Sequence, residues 1–222
     1  MNNPDRRIDI IRLKGVCPSV FETVPSSGIW GKSVEFVRGE NYLVKAESGT
    51  GKSSLCSFLY GSRRVPEYRG SIFFDNEDIA GFSKNRFTEI RRRNLAYLPQ
   101  DMLLFGELTA MENIHLKNSL TKCLSTGEIM EMMARLEIDS FADRKVSTLS
   151  IGQQQRVAVI RALCQPYDFL LLDEPVSHLD SRNNALVASL VSADAASKGA
   201  SIIATSVGAD LLLEEPFKTI SL

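Results

Sequence analysis

Residues 46–54, with the sequence AESGTGKSS, combine the residue types that bind phosphate groups in proteins. A short apolar run at 42–46 leads directly into them and predicts a strand, and a helical spacing of apolar residues follows them. In a strand–loop–helix unit of this kind, the loop amides point inward and the helix dipole attracts negative charge. Gly49 and Gly51 permit the positive-φ turns and the close backbone approach that such a loop needs. The segment therefore predicts a phosphate site.

Two side chains of this loop could act directly on a bound nucleotide. Lys52 would reach the β- and γ-phosphates as a point charge, and the Ser53 hydroxyl would ligate magnesium. The full pattern asks for glycine at position 46, where alanine is the mildest departure because it adds only a methyl group. The residues predicted to contact the nucleotide here are Ala46, Glu47, Ser48, Gly49, Thr50, Gly51, Lys52, Ser53 and Ser54.

Two adjacent carboxylates could supply the second half of such a site. Residues 169–174, FLLLDE, are an apolar run followed by Asp173 and Glu174, and α/β sheets bind ligands at the carboxyl ends of their strands. Asp173 suits a magnesium ion or its bound water. Glu174 is placed to orient or deprotonate the water that attacks the γ-phosphate. The pair predicts hydrolysis as well as binding.

Strands and helices alternate along the chain around these residues. Strands are predicted at 34–38, 42–46, 71–78, 95–99, 169–172, 201–205 and 217–222, the last as an edge strand. Helices are predicted from the phosphate loop to Gly61, at 83–93 and around 183–191. This alternation favours an α/β fold with a mostly parallel sheet.

Residues 109–165 differ, because helical patterns occur there without an evident strand. One helix is predicted after Ser150, over 152–165, and Pro166 would stop it. Two capping boxes that start earlier helices are Thr109 with Glu112 and Ser125 with Glu128. A group of apolar side chains predicts the core of this part: Ile129, Met130, Met132, Met133 and Leu136. The helical segment predicts a second lobe inserted in the sheet domain.

Composition excludes several classes of protein. The chain has 222 residues and a net charge of -1, which gives no basic surplus for nucleic acid. It lacks a run of the ~20 apolar residues that a bilayer span needs, and its N-terminus is too polar for a signal peptide. The four cysteines have no zinc spacing, and reduced thiols are expected. We therefore expect a cytosolic protein that does not insert into a membrane.

Further motifs give the chain a resemblance to a known family. Gln100 ends a predicted strand, LSIGQQQR occupies 149–156, and DEPVSHLD occupies 173–180. Together with the phosphate loop, and in this order, they resemble the ATP-binding subunit of an ABC transporter. The resemblance covers the chain from about residue 9 to its end. Within the family the chain looks most like lipoprotein-release, peptide-export or cell-division ATPases.

The resemblance implies a P-loop NTPase, RecA-like core with a mostly parallel sheet, an antiparallel β portion near the N-terminus and a helical subdomain insert. The core would occupy about 1–100 and 166–222, and the helical subdomain about 101–165. The implied cofactors are ATP and Mg²⁺. Gln100 would join core to subdomain and sense magnesium, so that the implied metal residues are Ser53, Gln100 and Asp173.

The family also implies partners. Two copies, or this chain and a paralogue, would form a head-to-tail dimer in which Ser150, Gly152 and Gln153 of one chain reach the other's ATP. A helix begins there, so its end can present donors to a γ-phosphate. Asp180 would end the family's D-loop. Residues 101–114 look like the groove that docks an integral-membrane permease, which would hold the chain at the inner face of the cell membrane.

Two departures from the family pattern predict slow hydrolysis. Ile151 stands where the signature has glycine, and its bulk lies where a phosphate must approach. Ser206 stands where the family has a histidine that contacts the γ-phosphate. Serine still donates a hydrogen bond, but it is shorter and cannot become cationic. The alternative function is a nucleotide-gated binding module with little or no hydrolysis. A soluble ABC ATPase of DNA repair or translation is a weaker reading, because the chain has neither paired domains nor long coiled-coil inserts.

Other candidates are less specific. Phe21 is the candidate for stacking on adenine, Trp30 is its rival, and ordinary core packing competes for both. His178 is interpreted as a spacer of the D-loop, with a compensating catalytic role as the alternative.

Overall fold

The computed structural model describes residues 6–25, 28–45, 47, 49–206, 212 and 217–222, whose strands form a parallel and an antiparallel sheet. The strands are β1 (Ile10–Pro18), β2 (Ser33–Val37), β3 (Asn41–Lys45), β4 (Tyr68–Phe74), β5 (Glu77–Asp78), β6 (Leu95–Leu98), β7 (Phe169–Asp173), β8 (Ser201–Ser206) and β9 (Phe217–Ser221). The α-helices are α1 (Lys52–Leu59), α2 (Lys84–Arg93), α3 (Ala110–Asn118), α4 (Thr126–Arg135), α5 (Ile151–Leu163) and α6 (Ser181–Lys198).

The larger sheet has the strand order β6-β7-β8-β3-β9, and every neighbouring pair in it is parallel. Its register pairs Asp173 with Thr205, and Ser206 with Lys45. The carboxyl ends of β7, β8 and β3 therefore lie side by side. The predicted α/β class, the mostly parallel sheet and the edge position of the last strand are confirmed.

The smaller sheet has the order β2-β1-β4-β5, is antiparallel, and lies near the N-terminus as predicted. Its strand β1 is absent from the strands predicted individually. Gly15 has φ +63°, and the pairing with β4 shifts register between Lys14 and Cys17. An irregularity of this kind interrupts the alternation of apolar and polar residues from which strands are recognised.

Both faces of the parallel sheet are buried, which is typical of sheets covered by helices. In β7 the side chains of Phe169 and Leu171 lie in one apolar cluster, with α1, α2 and the antiparallel sheet. The intervening Leu170 and Leu172 lie in a second cluster, with α3–α6. Apolar packing on both faces of the sheet therefore holds β7 in place, and with it the sheet edge at which β7 ends.

The helices between residues 110 and 163 share that second cluster with the sheet. Both predicted capping boxes are present, at Thr109 and at Ser125. Met133 is buried and Met132 packs against the cluster, as predicted, whereas Met130 is 37% exposed.

The predicted end of the last of these helices is wrong by two residues. The helix α5 ends at Leu163 and not at Gln165. Gln165 leaves the helix because its side-chain Nε2 donates to the Leu95 carbonyl (2.8 Å), which ties it to the start of β6. Pro166 therefore follows a residue that is already outside the helix.

In the part of the chain that the structure describes, no helix combines the length and apolar character needed to cross a bilayer. The four cysteines, Cys17, Cys56, Cys123 and Cys164, are free thiols.

Candidate functional site

The carboxyl edge of the parallel sheet gathers most of the predicted site. The strand β3 ends where the phosphate loop begins, and β7 ends at Asp173. Between them β8 ends at Thr205 and Ser206, and on the far side β6 ends two residues before Gln100. Residues that are far apart in the sequence thus share one edge, where parallel α/β sheets bind ligands.

The phosphate loop has the geometry of an anion site. Gly49 has φ +82° and Gly51 has φ +95°, as their positions predict. The helix α1 begins directly after Gly51 without a side-chain cap, so its first amides point toward the loop unpaired by a capping side chain. Trp30 lies beneath the loop: its Nε1 donates to the Thr50 carbonyl (2.9 Å), and a Cβ on Gly51 would lie 3.1 Å from its ring.

Lys52 points into this loop. It is 5% exposed, and its Nζ donates to the Glu47 carbonyl at 2.6 Å. The Thr50 hydroxyl donates to the same carbonyl at 2.8 Å. Ser53 is exposed at the start of α1, and Ser54 lies within 3.4 Å of the Arg63 guanidinium. Ala46 and Ser48, which the sequence predicts to contact the nucleotide, lie outside the described residues.

One hydroxyl contacts both residues at the end of β7. The Thr205 Oγ1 donates to the Asp173 carboxylate (2.8 Å) and accepts from the Glu174 amide (3.2 Å). Asp173 is 1% exposed, and Glu174 has φ +52°, which is uncommon for a residue with a Cβ. This turn separates the two side chains: Asp173 is buried at the sheet edge, whereas Glu174 is partly exposed beyond it.

Gln100 contacts the predicted catalytic carboxylate. Its Nε2 donates to Glu174 Oε2 at 3.1 Å. An open cavity of about 490 Å³ lies beside this pair, and its lining includes Ser53, Gln100 and Asp173. The three residues predicted for the metal therefore face one space.

These three residues fit magnesium. They offer a hydroxyl, an amide oxygen and a carboxylate, which are the oxygen ligands that Mg²⁺ prefers. Their small number is expected where phosphate oxygens and water complete the coordination shell. Among the described residues no cluster of three or more His, Cys, Asp or Glu could hold a metal by itself.

The start of α5 carries the predicted signature. Ser150 caps the helix and forms a capping box with Gln153: the Gln153 amide donates to Ser150 Oγ (3.3 Å), and the Ser150 amide donates to Gln153 Oε1 (2.9 Å). The Gln153 amide thus already has a partner. Ser150 is exposed, and the Ile151 side chain is 48% exposed, so it points away from the core.

Three other residues singled out from the sequence have neighbours that the structure identifies. Asp180 caps α6, because its Oδ1 accepts from the Asn183 amide at 2.8 Å, and this bond lowers the pKa of its carboxyl. Ser206 is 4% exposed at the end of β8, beside Lys45, the residue from which the phosphate loop starts. The His178 side chain is exposed, with Nδ1 3.1 Å from the Ser177 hydroxyl.

The two aromatic candidates differ in exposure. Trp30 is 2% exposed, packs edge-on to Phe58, and offers no open face for a base. Phe21 is partly exposed, and Arg69 holds its carbonyl at 2.8 Å. Of the two, Phe21 alone is partly exposed, and it also packs against the apolar cluster that contains Trp30.

Sequence reasoning missed two residues that touch the loop carrying the predicted catalytic carboxylate. Thr205 was predicted only as the end of a strand, although a polar residue that follows three apolar ones at a carboxyl edge is a usable signal. Gln155 is 3% exposed and binds the loop through both ends of its amide. It is the third of three consecutive glutamines, and nothing in the sequence distinguishes it from the other two.

Comparison of the sequence with models of protein families identifies one family that matches the chain. The model of the family described as ABC transporter matches residues 31–177, about two thirds of the chain. The matched range contains the phosphate loop, Gln100, the signature and both carboxylates.

Two curated relatives are ATP-binding proteins of importers. The molybdate/tungstate import ATP-binding protein WtpC of Pyrococcus horikoshii is 35% identical over 151 residues, which are 67% of this chain and 41% of that protein. The xylose import ATP-binding protein XylG of Escherichia coli strain K12 is 33% identical over 159 residues, which are 69% of this chain and 30% of that protein. The chain thus spans less than half the length of either relative.

Solved structures that are similar to the chain also come from ABC proteins. The ATP-binding cassette MJ0796, in a dimeric post-hydrolysis state bound to ADP and Pi, superposes with a TM-score of 0.74 at 25% identity, over 88% of this chain and 87% of that one. A bacterial Atm1-family ABC exporter with ATP bound gives 0.72 at 25% identity, over 89% of this chain and 34% of that one. These neighbours confirm the predicted P-loop NTPase fold.

Proposed function

The chain belongs to the ABC transporter family, and from this premise we propose that it binds and hydrolyses ATP to power a transporter through ATP-driven dimerisation. One observation carries the enzymatic part. The Glu174 carboxylate accepts from Gln100 at 3.1 Å beside the cavity that Ser53 and Asp173 line. A general base so placed can orient the attacking water, while Lys52 binds the β- and γ-phosphates.

The proposed cofactors are ATP and Mg²⁺. Ser53, Asp173 and Gln100 would hold the magnesium ion, which neutralises charge on the phosphates when it is bound. Glu47, Gly49, Thr50, Gly51 and Ser54 would contact the phosphates, together with Ala46 and Ser48. Phe21 would stack on the adenine.

We propose a dimer as the active form, either of two copies or with a paralogue. The exposed ends of Ser150 and Ile151, with Gly152 and Gln153, would meet the γ-phosphate bound by the partner subunit, and Asp180 would lie at the same interface. The dimeric structures of MJ0796 support a dimer as the form of such a cassette. Because Gln153 already donates to Ser150, that amide would have to exchange partners when the dimer forms.

We further propose a separate integral-membrane permease as partner, which would hold the chain on the cytoplasmic side of the membrane. Two side chains of the predicted docking segment support this: Leu103 is 62% exposed and Phe105 is 59% exposed. The division into a core (about 1–100 and 166–222) and a helical subdomain (about 101–165) is part of the proposal. So is membership of the lipoprotein-release, peptide-export or cell-division subgroup. No interaction with nucleic acid is proposed.

The purified chain tests this function through Lys52→Met. We expect magnesium-dependent release of phosphate from ATP, and a shift from monomer to dimer on size exclusion with ATP. Removing the ammonium should cost at least about 100-fold in turnover, as for other donors aimed at developing charge, and should abolish the ATP-dependent shift.

The matched control is Lys84→Met, which removes an exposed lysine at the start of α2. It should behave as the wild type. Equal turnover in the wild type and in Lys52→Met would identify the activity as a contaminant and contradict the proposal.

A second function is favoured by Ile151 and Ser206: a nucleotide-gated binding module that dimerises on ATP with little or no hydrolysis. Ile151 adds bulk at the dimer face, and Ser206 replaces a donor that could be cationic. We propose that these residues slow hydrolysis without abolishing it, because Lys52, Asp173 and Glu174 are retained.

Ser206→His should raise steady-state turnover. A hydrogen bond to a charged group is worth about 1.5–3 kcal/mol, or about ten- to a hundredfold in rate if it acts in the transition state. Ser206 is 4% exposed, so ATP affinity must be measured beside turnover to show that the larger ring is accommodated. Unchanged turnover with unchanged affinity would rule out this explanation of slow hydrolysis.

A further inference from the structure

The Gln155 side chain connects the helix α5 to the loop of Glu174. The first turn of α5 would face the ATP bound by the partner subunit, whereas Glu174 would act on the chain's own ATP. Gln155 lies in α5, which starts at Ser150, and it is 3% exposed. Its Nε2 donates to the Glu174 carbonyl at 3.2 Å, and its Oε1 accepts from the His178 amide at 3.2 Å. One buried side chain therefore binds the loop of Glu174 with both its donor and its acceptor.

The first turn of α5 also approaches this loop directly. A Cβ on Gly152 would lie 3.1 Å from the His178 carbonyl and 3.5 Å from Leu179 Cδ2. The first of these distances is tighter than ordinary van der Waals contact, so glycine lets the two backbones meet. Positions 152 and 155 are three apart and share one face of the helix. Backbone packing and the glutamine thus fix the same loop to the same helix.

The peptide of Glu174 depends on such support. Its φ of +52° is sparsely populated for a residue with a Cβ, and surrounding contacts must hold it there. Thr205 accepts from its amide. Its carbonyl accepts from Gln155, from the exposed Ser177 hydroxyl at 3.2 Å and, at 3.4 Å, from the Ser177 amide. Gln155 is the buried partner of that carbonyl, out of competition with water.

We propose that Gln155 is a positioning residue for hydrolysis: it sets the direction of the Glu174 carboxylate according to the position of α5. The inference rests on the proposed function, because it assigns Gln155 to the reaction proposed there. Since α5 starts at Ser150, which would face the partner subunit's nucleotide, a shift of that helix end would move the catalytic carboxylate of the chain's own site.

The test replaces Gln155 by methionine, which has a similar length but neither donates nor accepts. We expect kcat to fall about 10- to 100-fold with KM unchanged, because the general base is displaced while the phosphate loop is intact. Gln155→Glu keeps an acceptor for the His178 amide, but an ionised carboxylate would set an oxygen against the Glu174 carbonyl, so its kcat should fall as well. If the methionine variant folds poorly, Gln155→Glu provides the second variant for the same test.

The matched control is Gln165→Met, which removes another buried glutamine that donates to a backbone carbonyl, at the start of β6 far from the site. Its kcat should equal that of the wild type. Amide hydrogen exchange of residues 174–180 is the second readout, and it should become faster in Gln155→Met and remain unchanged in Gln165→Met.

Equal kcat values in Gln155→Met and Gln165→Met would overturn the positioning role. If the wild type itself releases no phosphate, the proposed function fails, and hydrogen exchange alone decides the link between α5 and the loop. Faster exchange at 174–180 in Gln155→Met then supports that link, and unchanged exchange overturns it.

Discussion

Replacing Glu174 by glutamine should stop ATP hydrolysis while ATP still drives dimerisation. The substitution preserves shape, and the new amide oxygen can still accept from Gln100, which donates to Glu174 Oε2 in the native chain. It removes the basic oxygen that takes a proton from the attacking water. General-base catalysis contributes about 10²–10⁴-fold, so turnover should fall by at least about 100-fold.

Phosphate release and size exclusion with ATP measure the two effects separately. Because product formation would be blocked, the dimer of Glu174→Gln should persist for longer than that of the wild type. The control is Glu131→Gln, which changes an exposed carboxylate of α4 and should alter neither quantity. If the wild type and Glu174→Gln turn over equally and both dimerise with ATP, the chain is a binding module and the enzymatic proposal is wrong.

Thr205→Val should destabilise the fold and slow the reaction. Valine has nearly the shape of threonine, but it cannot donate to the Asp173 carboxylate or accept from the Glu174 amide. Thr205 and Asp173 are each 1% exposed, so water replaces the lost bonds poorly. Each buried group left without a partner costs about 1–3 kcal/mol, and a charged one more, so the two groups together should cost at least about 2–6 kcal/mol in the free energy of unfolding.

Denaturant unfolding measures that loss, and kcat of the folded fraction should fall about tenfold because Glu174 loses the anchor of its amide. Thr205→Ser retains the hydroxyl and should recover most of both quantities. A valine variant as stable and as active as the serine variant would show that the hydroxyl supports neither carboxylate.

Much of the fold follows from local patterns. The capping boxes at Thr109 and Ser125 are short-range features, and both helices start where these boxes predict. Gly49 and Gly51 have the positive φ that their loop requires, since few other residues adopt it. The strand β1 could not be recognised in the same way, because its irregularity near Gly15 is compensated by pairing with residues 31–33 and with β4, the latter more than fifty residues away.

The contacts that organise the site depend on long-range packing. Thr205 meets Asp173 because β8 pairs with β7, and the sequence specifies neither the order of strands nor their register. Gln155 meets Glu174 and His178 because the helix α5 packs beside the loop. Local sequence therefore indicates candidate residues for the chemistry. Tertiary structure determines which neighbouring side chains orient them.

Among the α-helices of the described chain, α1 alone begins without a capping side chain; the other caps are Ser83, Thr109, Ser125, Ser150 and Asp180. Gly51 cannot supply one, and the Trp30 ring beneath it leaves little room for any side chain. A serine or aspartate there would satisfy the same amides that a phosphate needs and would act as a tethered competitive inhibitor. We therefore propose that this helix end is reserved for the chain's own nucleotide, so that the stability a permanent cap would have supplied becomes dependent on nucleotide concentration.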